Sequence, residues 1–328
     1  MSNLETDPVV QQCPASSAPG PRTEFYPART VPLGGLRAMQ VERVLPQRAL
    51  STVGAWCFLD HFGSERTAHE YVSNIGPHPH IGLQTVTWPF VGRIRHRDSI
   101  GSDVEIRSGQ LNLMTAGRGI AHGEDAVAGA LAGHGIQFWI ALPDAHRQQE
   151  PHFEQHRDLP VVRLPGLTAT VLIGTLAGAT SPASAYTPIV GADLRLDPGA
   201  SLDLPLEPGF EHALLVIDGD LTAADAPAVP GPLLYLGSDR AGLRLTSKTG
   251  AHAVLVGGEP FDEDLVMWWN LVARSHDEIV AARDAWEGHD TTRFGDIAGY
   301  SIEERWAAPP LPNVRLKPRP RRAEPDRP

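Results

Sequence analysis

The sequence predicts an all-β protein built as two stacked antiparallel barrels, and three observations lead there. Short apolar runs of strand length follow one another through most of the 328 residues. The 32 glycines and 30 prolines recur at short intervals between those runs instead of clustering, which is how turns punctuate strands. Two stretches also resemble each other. Residues 108–114 (SGQLNLM) match 230–236 (PGPLLYL), and a turn at Gly92 has its counterpart at Gly219. A duplicated β unit explains both likenesses.

Taken in order, residues 1–24 are rich in Ser, Pro, Gln and Gly and read as a disordered leader. Order is expected from near Tyr26. Strand-like runs follow at 36–44, 55–59, 84–90, 93–97, 104–106, 110–115 and 136–142, with Gly92, Gly101 and Gly109 as turns. Residues 144–159 are polar and His-rich and read as a loop. A second strand-rich half starts near Val161, with runs at 168–172, 192–196, 201–204, 212–217, 233–236, 243–245 and 253–256. Asp218 and Gly219, set between apolar runs, predict a hairpin. One helix is marked by Ser275, three residues before Glu278, as a capping box. Ile279, Ala282 and Trp286 then form an apolar stripe that Gly288 ends. The basic run 317–322 lies in a Pro/Arg-rich segment, 305–328, that reads as a flexible tail.

Composition narrows the function classes. The chain is 41% hydrophobic and 20% charged, as ordinary soluble proteins are. Its net charge is −11, from 28 basic against 39 acidic residues, which disfavours phosphate backbones as partners. Two cysteines, Cys13 and Cys57, give neither a disulfide framework nor a C-x-x-C pair, which fits a reducing compartment. No apolar stretch is long enough to span a bilayer, and no basic segment precedes an apolar one at the start. The expectation is a cytoplasmic protein with no membrane or direct nucleic-acid partner.

The chemistry lies in the histidines. Of 14 in the chain, ten fall between His61 and His156. His78 and His80 are two apart, so on a strand both imidazoles point to one face and can reach one metal ion. Gln84 shares that parity if the strand is regular. His122 and Glu124 repeat the spacing some forty residues on, with Gly123 between them allowing close backbone approach. Three imidazoles and a carboxylate suit Fe(II), and also Mn, Ni, Cu or Zn. A closed structural zinc site would use cysteines, which the sequence does not cluster. His96 reads as a hydrogen-bonded hairpin residue and His61 as the anchor of a turn with Asp60. His69, His134, His146, His152 and His156 read as surface or loop residues. His212, His252, His276 and His289 are isolated. Trp56, Trp88 and Trp139 suit core packing better than a pocket lining.

The runs 58–63 (FLDHFG), 78–82 (HPHIG), 85–87 (TVT), 96–99 (HRDS) and 114–122 (MTAGRGIAH) resemble the pirin family, as do 267–272 (MWWNLV) and 273–279 (ARSHDEI). The resemblance covers about Tyr26 to Trp286. It implies a bicupin, two double-stranded β-helix barrels packed face to face with a few short helices. A metal-binding cupin is expected over 25–150 and a cupin without metal over 160–288. The resemblance also implies one metal, usually iron, on His78, His80, His122 and Glu124, in a monomer. Two positions depart from the common pirin pattern, Ile81 where Arg is frequent and Gln84 where Glu is. Gln cannot ionise, so any proton role there is lost. Some bacterial pirins are similar to quercetin 2,3-dioxygenases, which implies an iron-dependent dioxygenase acting on an aromatic flavonol, with Glu124 as the general base. The alternative is a non-catalytic, iron- and redox-sensing regulator that binds protein partners.

Overall fold

A computed structural model of the chain describes residues 20–33, 39–63, 74–127 and 133–318, together with the short strand at 11–13. Expectations for the rest of the leader, 36–38, His69 and 319–328 lie outside the described residues. The first half contributes β1 (Gln11–Cys13), β2 (Pro21–Tyr26), β3 (Arg29–Leu33), β4 (Met39–Leu45), β5 (Trp56–Phe62), β6 (Asn74–His80), β7 (Leu83–Val91), β8 (Arg93–Asp98), β9 (Asp103–Arg107), β10 (Leu111–Thr115), β11 (Ile120–Ala126), β12 (His134–Ala141) and β13 (His152–His156). The second half adds β14 (Val161–Leu164), β15 (Leu167–Leu176), β16 (Ala179–Thr180), β17 (Ile189–Leu196), β18 (Ser201–Pro205), β19 (Glu211–Gly219), β20 (Leu221–Ala223), β21 (Ala226–Ala228), β22 (Leu233–Gly237), β23 (Gly242–Thr246), β24 (Ala251–Gly258), β25 (Leu265–Trp268) and β26 (Leu271–Ala273). Helices α1 (His276–Glu287) and α2 (Thr291–Phe294) follow.

These strands form two barrels of the same design, and the protein is an all-β bicupin. In the first, the sheet β3-β4-β5-β12-β7-β10-β13 faces the sheet β6-β11-β8-β9. In the second, β14-β15-β17-β24-β19-β22-β2 faces β18-β23-β20-β21. The orders correspond strand for strand, and β10 and β22 begin at the same point of the two similar segments. Burial follows the layering. The outer strands β18 and β23 alternate exposed and buried residues, as strands with one wet face do. Strands β12 and β24 are buried almost throughout, because one face lines a barrel and the other packs on the opposite barrel.

The inter-barrel layer is one apolar cluster that joins Trp56, Val86 and Phe138 to Ile173, Ala213 and Val256. Indole donors cross it. Trp56 Nε1 donates to the carbonyls of Val190 (3.2 Å) and Gly257 (3.0 Å), and Trp88 Nε1 donates to Asp193 Oδ2 (2.8 Å). Both indoles therefore hold the barrels together, in line with the packing role read for them.

Several expectations need correction. Residues 21–24 are not a disordered leader: β2 pairs with β22 and completes the second barrel's long sheet, while β1 pairs with β25. The polar alternation of β2 hides a strand that needs a distant edge. The turn at Gly219 is a corner and not the hairpin expected there, and the turn at Gly92 is a corner of the same kind. Strand β7 already pairs with β10 and β12, and β19 with β22 and β24, so neither has an edge left for its successor. The segment read as a loop contains β13, which pairs with β10. His61 lies within β5 and its Nε2 is 2.8 Å from His134 Nε2. Asp60 instead takes both Arg43 Nε (2.9 Å) and Arg43 Nη2 (2.8 Å). Residues 305–318 are also not a free tail, because Ala308 and Leu316 are buried in the cluster that contains α1. In α1, Ser275 caps Glu278 N–H as expected, but the Glu278 carboxylate accepts from Arg274 N–H in place of the N-cap.

Two outcomes follow. Asp60→Ala removes the buried carboxylate that takes Arg43 Nε and Nη2 and should cost about 3 kcal/mol, read as a lower urea midpoint at unchanged slope. Deleting residues 1–26 removes β2 from the outer edge of β22, and the truncated chain should unfold at lower urea and associate through that edge in sedimentation. A full-length-like midpoint would show that β2 carries no stability.

Candidate metal centre

The site is built on β6 and β11, adjacent strands of the first barrel's short sheet. β6 is an edge strand, which accommodates Pro77 and Pro79 because the missing N–H groups have no ladder to serve. His122 stands opposite His78, and Ile120 opposite His80. A register shift between His122 and Glu124 sets Glu124 opposite Ile75 on β6, while on β8 it stands opposite His96. Gly123 is needed at this bulge, since a Cβ there would lie 2.5 Å from the Tyr300 hydroxyl oxygen.

His78, His80, His122 and Glu124 are all fully buried. Ligand atoms of His78, His80 and His122 lie within 4.8 Å of one another, and so do those of His96, His122 and Glu124. The three imidazoles predicted from spacing thus converge, whereas Glu124 falls in the group with His96 and His122 and not in the one with His78 and His80. His96 is hydrogen-bonded as expected, with Nε2 3.3 Å from Asp98 Oδ2 and Nδ1 3.3 Å from His122 Nδ1. It is nonetheless part of the constellation.

The tautomers follow from the partners. His78 Nδ1 lies 2.8 Å from the Gly76 carbonyl oxygen, and His80 Nδ1 lies 3.0 Å from that of Asn270. Carbonyls only accept, so both rings carry their proton on Nδ1 and turn the Nε2 lone pair inward. His80 Nε2 and His122 Nε2 are 3.1 Å apart. If His122 is also protonated on Nδ1, two acceptors meet there with no hydrogen between them, an arrangement that a cation held by both would relieve. The residues present fit a divalent metal on this ground, with nitrogen and oxygen donors that suit Fe(II), Mn, Ni, Cu or Zn.

Electrostatics agree. Burial holds the His78 pKa well below its ordinary 6.5, helped by His80. Burial lowers His80 to about 3, against the pull of the Asn270 carbonyl. His122 is lowered well below 6.5 by burial and then by His78, His80 and His96. His96 is lowered by burial, which outweighs the opposing effect of Asp98. The imidazoles are therefore neutral near pH 7, the state that ligates.

Around them, Trp306 stacks on His78 (centroids 5.5 Å apart, 27°) and donates its backbone N–H to the Pro77 carbonyl (2.9 Å). Trp139 lies edge-on to His80 at 5.3 Å and stacks on Phe58. Gln84 does not share the histidines' surroundings. Gly82 takes a left-handed conformation (φ +67°) after β6 and breaks the alternation, and the Gln84 amide donates to Thr115 Oγ1 (3.0 Å) and the Ser184 carbonyl (3.1 Å). Sequence reasoning missed Asp98, Asn270 and Trp306, and set His96 aside. For His96 and Asp98 a signal existed, the same spacing of two that marked His78 and His80. Asn270 and Trp306 come from far along the chain and carry no local signal.

In the second barrel, β18 and β23 are the counterparts of β6 and β11. They bury Leu202, Leu204, Leu243 and Leu245, so that interior is aliphatic where the first is imidazole-rich.

The comparisons with known proteins agree with this architecture. The Pirin family model matches residues 38–140 and the Pirin C-terminal cupin domain model matches 191–295. A Pseudomonas aeruginosa protein named "Putative quercetin 2,3-dioxygenase PA1205" is 44% identical over 87% of this chain and 89% of its own length. A pirin-like protein of Caulobacter vibrioides is 33% identical over 80% of this chain and 92% of its own. The crystal structure of quercetin 2,3-dioxygenase from Acinetobacter baumannii superposes with a TM-score of 0.82 at 39% identity, covering 90% of this chain and 98% of that one. On its sequence, its paired barrels and these relatives, the chain belongs to the pirin family.

Proposed function

We propose that this pirin is an Fe(II)-dependent dioxygenase acting on a flavonol-like aromatic substrate of the quercetin type. The observation that carries the metal is the 3.1 Å approach of the His80 and His122 Nε2 atoms, inside a barrel where the outer nitrogens of His78 and His80 are committed to carbonyls. His78, His80, His122 and Glu124 would hold the ion. Bound there, iron would supply Lewis acidity toward a hydroxyl or carbonyl oxygen and the one-electron chemistry that dioxygen requires. Glu124 balances part of the cation's charge and is the buried base that can take a substrate hydroxyl proton. The dioxygenase reading draws support from the names of the two quercetin dioxygenase relatives. The net charge of −11 favours a small molecule or a protein over nucleic acid as partner, and a cytoplasmic monomer is the setting we assign.

A second reading is favoured by one observation, the complete burial of all four ligand residues together with Trp306 against His78. A site so covered also suits a non-catalytic, redox-sensing protein whose metal reports to a protein partner. Anaerobic purification with metal analysis, followed by quercetin and oxygen, separates the two. The dioxygenase predicts one iron per chain and carbon monoxide release, both lost in His80→Ala. Glu124→Gln at full iron occupancy should slow turnover by about 10²–10⁴-fold, and undiminished turnover would remove Glu124 as the base. Iron without turnover selects the sensor. A wild-type chain that takes up no metal after reconstitution overturns both.

Protons compete for the same nitrogens. The folded-state pKa values of His78, His80, His96 and His122 lie below 6.5, so below that pH the unfolded chain binds more protons than the folded one. The metal-free protein should therefore lose stability as pH falls from about 6.5, each such imidazole adding a slope of about 1.4 kcal/mol per pH unit. Urea midpoints of chelator-treated protein between pH 7.5 and 5 read this. A flat profile would mean that these imidazoles protonate freely in the folded state.

A further inference from the structure

We propose that Asp98 and His96 act as positioning residues that decide which nitrogen of His122 is left to bind metal. The inference rests on the metal reading above. His122 differs from the other two imidazoles. His78 and His80 give their Nδ1 protons to carbonyls, which can only accept. His122 Nδ1 instead faces His96 Nδ1 at 3.3 Å, an atom that can donate or accept.

The ambiguity is resolved one residue further out. His96 Nε2 lies 3.3 Å from Asp98 Oδ2. A carboxylate accepts only, so His96 carries its proton on Nε2 and its Nδ1 accepts. His122 must then be protonated on Nδ1, and its Nε2 lone pair points at His80 Nε2. Strand pairing builds the relay, with Asp98 opposite His122 and His96 opposite Glu124 across β8 and β11. His96 and Asp98 are each 2% exposed, so water does not substitute for either.

Asp98 is itself fixed. Its Oδ1 accepts the backbone N–H groups of Ile100 (3.1 Å) and Ser102 (2.8 Å), leaving Oδ2 for His96. This makes Asp98→Asn a directional probe. The amide oxygen must stay where it serves those two N–H groups, so the NH₂ takes the Oδ2 position and faces His96. His96 Nε2 then has to accept, its proton moves to Nδ1, and His122 Nδ1 has to accept in turn. The His122 proton is driven to Nε2, and a metal ligand is lost through an isosteric change at a residue outside the ligand set. The logic is that of a carboxylate fixing an imidazole tautomer in second-shell metal triads.

The test uses the full-length chain labelled with ¹⁵N-histidine, the His122 signals being assigned by their absence in His122→Gln. Two-bond couplings in the metal-free protein read which ring nitrogen is protonated, and chelator competition reads Fe(II) affinity. Wild type should show His122 protonated on Nδ1, and Asp98→Asn should show it on Nε2 with affinity down about 10–100-fold. His96→Leu should also weaken binding, and in that background Asp98→Asn should add nothing. His96→Gln, with its oxygen toward His122 and its NH₂ toward Asp98, should restore affinity to within a few fold. An unchanged His122 tautomer and affinity in Asp98→Asn would overturn the relay, as would effects of Asp98→Asn and His96→Leu that multiply as independent changes. A wild-type chain with no Fe(II) affinity defeats the metal reading instead, while the tautomers of the metal-free chain still decide the relay.

Discussion

Desolvated imidazole nitrogen is the constraint that shapes the first barrel. A buried polar atom without a partner costs free energy comparable to a lost hydrogen bond, and a design that points several such atoms at one place has to make up for it elsewhere. This chain does so on the far side of each ring. A carbonyl of β6's own entry, a carbonyl from the turn between β25 and β26, and a neighbouring imidazole take up the outer nitrogens of His78, His80 and His122. What remains is the meeting of His80 Nε2 and His122 Nε2 at 3.1 Å, which a bound cation would relieve. The second barrel, with the same strand order, fills the strands that match β6 and β11 with leucine.

The barrels are not independent pieces set side by side. Asn270, which orients His80, belongs to the β25–β26 turn beyond the second barrel. Trp306, which lies against His78, comes from the segment after α2. In the opposite direction, β2 from the chain's start completes the second barrel's long sheet. Trp56 and Trp88, on the first barrel, reach acceptors on the second. Each barrel is finished with material from the other end of the sequence.

That exchange also explains what could be read from the residues alone. Fold class, strand positions and the duplicated plan were legible because they rest on local alternation and turn chemistry, and 108–114 against 230–236 marked equivalent strands correctly. The convergence of His78, His80 and His122 was legible because spacing of two on a strand is a local geometric fact. The hairpin at Gly219 was misread because turn residues do not say whether the preceding strand has an edge to spare. Strand β2 was misread because its half-exposed, polar pattern gains meaning only beside Tyr235 and Leu234. Asn270 and Trp306 gave no signal, since their roles depend on long-range placement and not on neighbours in sequence. His96 had the right spacing but lacked a reason to be chosen until its ring was seen beside His122.

The interleaved ends have a consequence for the order of events on the ribosome. The first barrel can draw its strands together once residue 156 has emerged, yet the carbonyl that orients His80 and the indole that covers His78 are still unmade. The second barrel waits for β24 before β2, synthesised long before, has a sheet to join. Contacts of such long sequence separation form late and slowly. The histidine cluster is thus among the last features to be completed, and a nascent fragment presents histidines that are near one another but not yet aimed. An ion offered to such a fragment would meet an unfinished cage, so uptake there would wait for synthesis through Trp306.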